Sequence, residues 1–378
     1  MKQLVTAWQV YEITGSSAQL GLTFLFQGIP GIAFSVFGGT LADMFDRRKL
    51  INISQGYTII SALILGFLTV SGKIEVWHIY VMTFLASGIG AIANPSRRAL
   101  ISSLVPRTHV LNAITLQTSV QQGVQIIGPT VAGLALGAFG PGPAYFVNAV
   151  LIIPGFYAIM MMKEVEQERR ARKGTPVRFN LPTIFGGLIF AWQTQVVLLL
   201  LLMDTVTNVL GYWQTMMPVI AKDILSVGPT GLGILLSAPA LGSFVGFGII
   251  LAMGNLKRKG LWMIAAVIIY NALVFVFAYS TSFIFTLVLL ALMGGVDAFS
   301  RSVRNTALQL LPPEDKRGRV VALSQIFTSG GNSMGGAYLG FMAQAIGIQL
   351  ALAIGAVVSG VFAIFVGIFS RKVRNFDI

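Results

Sequence analysis

The feature that most constrains this chain is a succession of apolar runs, each of about 18 to 25 residues, that recurs along its whole length. A helix of about 20 apolar residues crosses the hydrocarbon core of a bilayer. The runs do not alternate with period two, which excludes strands as the main design. Complete spans are expected at 18–41, 51–70, 77–95, 112–139, 143–162, 196–220, 230–252, 261–278, 284–300, 320–343 and 349–369, eleven in all. Charged residues make up only 10% of the chain, against about a quarter in a soluble domain. Too few are present to cover a water-facing surface, so the expected class is an all-α polytopic membrane protein.

The opening "MKQLVTAWQVYEITGSS" is too short and too polar for a signal peptide. Residues 4 to 11 read as the tail of a further span. Eight helical residues rise only about 12 Å, against a core of about 30 Å. A start truncated within the first helix, or a mis-assigned start codon, is expected; Trp8 and Glu12 would line the path in a complete helix. Cysteine is absent, so neither disulfides nor thiolate metal sites arise.

Cations cluster in alternate connections. One set holds Arg47, Arg48 and Lys49; Arg97, Arg98 and Arg107; six cations between Lys163 and Arg178; Lys257, Arg258 and Lys259; Arg301, Arg304, Lys316, Arg317 and Arg319; and Arg371, Lys372 and Arg374. The other set holds Lys73 and Lys222. Positive-inside bias places the rich set, with the central loop and the C-terminus, in the cytoplasm of a cell inner (plasma) membrane protein. The net charge of +13 is then a matter of topology, and no nucleic-acid partner is expected. The polar stretch "KEVEQERRARKGTPVRFNLP" divides the chain into 1–162, a linker at 163–182, and 183–378.

The two parts resemble each other. At an offset of 210, Phe37, Gly38, Leu41 and Ala42 recur as Phe247, Gly248, Leu251 and Ala252. At an offset of 207, Arg97, Pro106, Gly123, Gly128 and Gly133 recur as Arg304, Pro313, Gly330, Gly335 and Gly340. Two six-helix halves in parallel repeat, with a midplane site between them, is one way in which transporters are built.

The stretch "GGTLADMFDRRKL" raises the question of why acids and cations follow directly on an apolar run. Asp43 ends an expected helix, where the dipole disfavours an acid, so it should seek a cation. Arg47, at i+4, is placed for that if the helix continues. The stretch resembles the loop 2–3 signature of the major facilitator superfamily, matching at Gly39, Leu41, Ala42, Asp43, Arg47 and Arg48, with Met44 and Asp46 departing from it. "YEITGSSAQLGL", "NPSRRALISSLVP" and "PPEDKRGRVVAL" resemble the subgroup of enterobactin exporters and macrolide efflux proteins. The resemblance implies the major facilitator fold and a conformational latch at Gly39, Asp43, Arg47 and Arg48. The second copy has Met253 and Leu256 where the acids would stand, so only the first half can carry such a latch. Gly128, Pro129 and Gly133 resemble an antiporter motif, with close helix packing as the alternative.

Polar stripes mark a path. Gln117, Gln121 and Gln125 share one helix face, and Ser324, Thr328 and Asn332 are their repeat equivalents. Such stripes should face protein or water rather than lipid. Asp204 lies within a span, with Asn208 and Tyr212 near the same face, and is the first candidate for proton coupling. Asp297 is the second, although Arg301 at i+4 favours a structural pair. His78 and His109 have no companion ligands, and no phosphate-binding loop is present, so neither a metal nor a cofactor is expected.

The expected function is a monomeric secondary transporter, an exporter of small amphipathic molecules of drug or siderophore type, exchanging them for protons. Uptake of a small polar solute is the alternative within the class. An anion importer usually needs a buried Arg or Lys, and none is evident within a span. A polytopic enzyme would need clustered acids or histidines at one interface, and a channel would need rings of like residues.

Overall fold

The computed structural model describes residues 1–162, 188–253 and 258–374; the side chains of 36–44, 98, 101–103, 107, 253 and 315 are outside the described set. The linker at 163–182, and Leu256 and Lys257 of the second motif copy, lie outside it too. Among the described residues every regular element is helical. Nine helices there are long and apolar enough to cross a membrane.

The helices are α1 (Lys2–Thr14), α2 (Ser17–Met44), α3 (Arg47–Val70), α4 (Val76–Leu104), α5 (Val110–Phe139) and α6 (Pro141–Met161), then α7 (Gln195–Gly211), α8 (Gly228–Met253), α9 (Lys259–Ala278), α10 (Phe283–Leu310), α11 (Glu314–Ile346) and α12 (Ile348–Phe369). Two compact units result. The first holds Met1–Gly15 and the described residues from 25 to 162; the second holds Ser16–Phe24 and the described residues from 188 onward. The first two turns of α2 therefore belong with the later helices.

Helix ends follow local chemistry. Gly15 adopts φ 60 and returns its N–H to the Tyr11 carbonyl, which closes α1. Gly140, at φ 78, separates α5 from α6, whose first residue is Pro141. At the end of α2 the expected continuous helix is interrupted. Asp46 takes extended dihedrals and its carboxylate accepts the Arg48 N–H at 2.9 Å, which caps α3. Asp43 and Arg47 thus fall on different helices, and the i+4 geometry does not exist.

Packing in the first unit relies on small residues. α3 runs along α6, where a side chain on Gly66 would come within 2.9 Å of the Phe146 ring. A buried polar tie accompanies it: the Tyr145 hydroxyl donates to Gln9 Oε1 at 2.8 Å, and Gln9 Nε2 donates to Thr69 Oγ1 at 2.8 Å. It links α6, α1 and α3.

In the second unit α8 lies against α10 so closely that a Cβ on Gly242 would fall on the Ala291 carbonyl, and one on Gly294 on the Pro239 carbonyl. Ser243 adds a hydrogen bond to the Gly294 carbonyl at 2.9 Å. The start of α2 meets α11 in the same manner, with Gly21 against Gly340 and the Ser16 hydroxyl donating to Gln344 Oε1 at 3.1 Å.

Several helices outrun the apolar segments. α4 continues to Leu104 and α10 to Leu310. Arg97, Arg301 and Arg304 therefore sit on helices rather than in loops. The expected continuous span at 196–220 is broken: α7 ends at Gly211, a 3₁₀ turn follows at Trp213–Met216, and a single π turn at Ile220–Ile224. Pro218 interrupts the hydrogen bonding beyond Gly211, because it lacks an N–H and its ring opposes the Gln214 carbonyl one turn earlier.

Candidate functional site

The break in α7 opens a cavity of about 150 Å³ inside the second unit. Its wall combines Asp204, Asn208, Gly211 and Tyr212 from α7 and its end, Trp213 and Gln214 from the turn beyond, and Tyr270 from α9. Asp297, Ser300, Arg301 and Arg304 come from α10, and Thr328 and Asn332 from α11. Met203, Met263 and Val267 complete an apolar side.

Asp204 is the focus. Three donors converge on its carboxylate: an Arg304 guanidinium N–H and Asn208 Nδ2 (3.1 Å) on Oδ1, and Thr328 Oγ1 (2.7 Å) on Oδ2. The ion pair is nearly buried, with Arg304 11% and Asp204 9% exposed at the side chain. Asn208 is on the same helix at i+4, and Arg304 and Thr328 arrive from α10 and α11. A charge buried among spans persists only with partners of this kind.

Asp297 forms the expected pair with Arg301, at 2.8 Å. It is far more open, with 47% of Arg301 and 40% of Asp297 exposed at the side chain. The Trp213 indole N–H donates to the Tyr270 hydroxyl at 3.0 Å and its ring packs edge-on to Phe277. This pins the segment after the helix break. Phe24, from the start of α2, meets the Tyr212 ring edge-on at 6.0 Å. The Oδ1 atom of Asn332 is buried with no hydrogen-bond partner.

The structure thus gathers Asp204, Asn208, Tyr212, Asp297, Thr328 and Asn332 around one cavity. Ser324 turns to its own helix, donating to the Val321 carbonyl at 2.8 Å. Gln117, Gln121 and Gln125 lie on α5 in the first unit, the last two exposed. Gly128 and Pro129 are within α5, and Gly133 is buried there. Gly39 and Asp43 fall among residues whose side chains are outside the described set. Arg47 opens α3, and Arg48 is held by Asp46 at 3.0 Å and by the Met162 carbonyl. His78 serves a helix start, accepting the Glu75 N–H at Nδ1 over 3.0 Å.

Arg304, Trp213 and Tyr270 are cavity residues outside the sequence-based expectation, in which Arg301 figures only as the i+4 partner of Asp297. The sequence reading places Arg304 with the loop cations and counts the lack of a buried cation against anion uptake. That argument lapses, since Arg304 is both buried and cavity-lining. The available signal was the spacing of Asp297, Arg301 and Arg304, which share one helical face.

These features define a multi-pass helical membrane protein with a charged, partly aromatic cavity among its spans, the architecture of a transporter. Over residues 1–377 the chain matches the family described as transmembrane secretion effector. It belongs to that family, within the major facilitator superfamily of membrane transporters. It is 25% identical to the multidrug efflux pump Tap of Mycolicibacterium fortuitum over 98% of this chain and 91% of that protein. It is also 25% identical to the enterobactin exporter EntS of Shigella flexneri, over 97% of this chain and 87% of that protein. Among solved structures, a variant of the nucleoside transporter NupG superposes with a TM-score of 0.76 at 14% identity, covering 98% of this chain and 96% of that one. A D-xylose–proton symporter superposes at 0.74, also 14% identical, covering 100% and 96%. The structural likenesses speak for the fold alone.

Proposed function

We propose that this protein is a secondary active exporter of small amphipathic molecules of drug or siderophore type, driven by proton antiport. The observation that carries the reading is the Asp204 carboxylate, buried in a cavity among membrane spans and held there by Arg304, Thr328 and Asn208. An ionisable group in such a place is the natural point of proton exchange. The named activities of the relatives, multidrug efflux and enterobactin export, support the outward direction.

In this reading two six-helix halves, residues 1–162 and 183–378 joined by 163–182, rock about a midplane site. The central loop and the C-terminus face the cytoplasm of the inner membrane, and one chain suffices. Gly39, Asp43, Arg47 and Arg48 form the latch, Gly128, Pro129 and Gly133 allow α5 to bend and pack, and Gln117, Gln121, Gln125 and Ser324 extend the path beyond the cavity. Asp297, paired with Arg301, is a second proton site.

The test is flux in proteoliposomes loaded with a panel of fluorescent amphipathic drugs and a catecholate siderophore, with a pH gradient imposed. Expected is movement of at least one substrate against the proton gradient, abolished by a protonophore. Gradient-independent flux would remove proton coupling from the reading, and flux coupled only in the same direction as the proton would make the protein an uptake system.

A further inference from the structure

One end of the second unit gathers cations at the point where its last span leaves the lipid. α12 has 22 residues and so rises about 33 Å, close to the thickness of the hydrocarbon core. Ser370 ends it, and a single helical turn follows at Arg371–Arg374. That turn is fixed in place. Val373 is wholly buried, packed with Met203 of α7, Met263 of α9, Ala307 of α10 and Val366 of α12. The Arg374 N–H donates to the Ser370 carbonyl at 3.1 Å, and the Val373 N–H to the Ser370 hydroxyl at 3.4 Å. Arg371 and Lys372 are exposed, and Arg374 is half-buried.

Helix register shows what stands beside the turn. A Cβ on Gly360 would lie 3.6 Å from Asn271, and one on Gly367 3.1 Å from Ile264. α12 and α9 are therefore antiparallel, each step along one matched by a step back along the other. Carrying that register onward sets Arg371 level with Gly260 and Lys372 level with Lys259, and the turn does pack against α9. Arg258 is exposed and Lys259 half-buried there. Arg258, Lys259, Arg371, Lys372 and Arg374 thus share one end of the bundle. Among the described residues Arg371, Lys372 and Arg374 form no ion pair. None of these cations lines the Asp204 cavity.

Topology accounts for cations at this end but not for their arrangement. Orientation follows the number of positive charges near the ends of spans and is indifferent to their grouping. Like charges held together repel, and here a buried valine holds three of them in one turn. The surface below them is apolar and faces lipid. Phe365 and Phe369, in the last turns of α12, are exposed, with ring centroids 4.5 Å apart. Trp262, one turn into α9, is exposed too, at the depth where indoles favour the membrane–water boundary.

We infer that this end of the second unit seats one anionic phospholipid. Arg371, Lys372, Arg374 and the two cations at the start of α9 hold its headgroup, and its acyl chains lie against Phe365 and Phe369. Basic clusters directly beyond a span bind acidic headgroups in this way, and guanidiniums meet phosphate oxygens two at a time. In the orientation proposed above the lipid belongs to the cytoplasmic leaflet, but the seat depends on neither the direction nor the coupling of transport. A water-soluble phosphate ester would meet the cations and leave the aromatic wall bare. A zwitterionic lipid would bring a cation of its own into the cluster.

The test uses the purified full chain in detergent, titrated separately with phosphatidylglycerol, phosphatidylcholine of the same acyl chains, and glycerol phosphate. Bound molecules are counted by native mass spectrometry. Expected is saturable retention of one phosphatidylglycerol, weaker retention of phosphatidylcholine, and none of glycerol phosphate. Arg371→Gln/Lys372→Gln/Arg374→Gln should weaken phosphatidylglycerol binding by about a hundredfold, from the contribution of each cation at a membrane surface, and leave phosphatidylcholine unchanged. Arg317→Gln/Arg319→Gln removes two exposed cations from the start of α11 and should bind phosphatidylglycerol as wild type does. Equal retention of the two lipids, or retention of glycerol phosphate, would overturn the inference. So would wild-type binding by the triple variant, or a loss in the α11 pair as large as in the triple variant. The wild-type comparison of the three probes decides the matter even if the triple variant fails to fold.

Discussion

Arg304 on α10 reaches the Asp204 carboxylate on α7 with both side chains nearly buried, joining residues a hundred positions apart. Such a pair costs desolvation on both sides and is retained only with further hydrogen bonds. Thr328 and Asn208 supply them, so the second unit commits three side chains, from α7, α10 and α11, to one carboxylate. The predictions below treat that commitment and the packing that holds it.

Thr328→Val keeps the shape of the side chain but removes the donor to Asp204 Oδ2. A hydrogen bond to a charged group is worth about 1.5–3 kcal/mol. The melting temperature in detergent should fall accordingly, transport should fall as the carboxylate loses its donor, and Thr328→Ser should restore both. Initial rates of substrate flux at several pH values test this.

Gly242 faces the Ala291 carbonyl across the α8–α10 seam, whereas Gly248 meets nothing within 4 Å. Gly242→Val should therefore destabilise by at least the 1–3 kcal/mol typical of overpacking. Gly248→Ala should be neutral. Thermal unfolding of the two purified variants in one detergent makes the comparison.

Asp46→Ala removes the cap of α3 and the partner of Arg48 together. A lost cap costs about 1 kcal/mol, so a small drop in melting temperature is expected. Asp46→Asn should recover most of it, because an amide oxygen also accepts from the Arg48 N–H.

Tyr145→Phe should cost more. It strips the donor from the buried Gln9 Oε1, and an unsatisfied buried acceptor costs about 1–3 kcal/mol. Denaturation curves of the variant should show a shifted midpoint, with flux preserved at temperatures where it stays folded.

Much of this arrangement was legible in the sequence. Length and hydropathy pointed to nine of the helices long and apolar enough to cross a membrane, because a bilayer demands long apolar runs, while the expected spans at 18–41 and 320–343 are helical but outside those nine. Asp204, Asn208, Tyr212, Thr328 and Asn332 could be picked out because polar residues within spans are costly and helical spacing groups them. Arg304 was not, since the apolar run of α10 fades near Ser300 while its helix continues to Leu310. Hydropathy reports where lipid ends, not where hydrogen bonding ends. The break after α7 had a local signal in Gly211 and Pro218, obscured by the strongly apolar residues around them. The cap at Asp46 was also present, as an acid directly before the first residue of a helix. The family resemblance drew attention to it as a departure from the expected glycine rather than as a cap.

The measurement that bears most directly on the central claim is proton-driven efflux by Asp204→Asn. The variant is nearly isosteric and its amide oxygen can still accept from Arg304, but Arg304 is left a buried charge without its carboxylate, so a thermal melt in detergent at the assay temperature accompanies the flux. Wild type and variant are reconstituted side by side and loaded with one transported substrate. Efflux is followed with an imposed pH gradient and, separately, as substrate exchange at equal pH. The account predicts that gradient-driven efflux drops to background in the variant while exchange at equal pH persists. Gradient-driven efflux by Asp204→Asn at the wild-type rate would contradict it and move proton coupling away from this cavity.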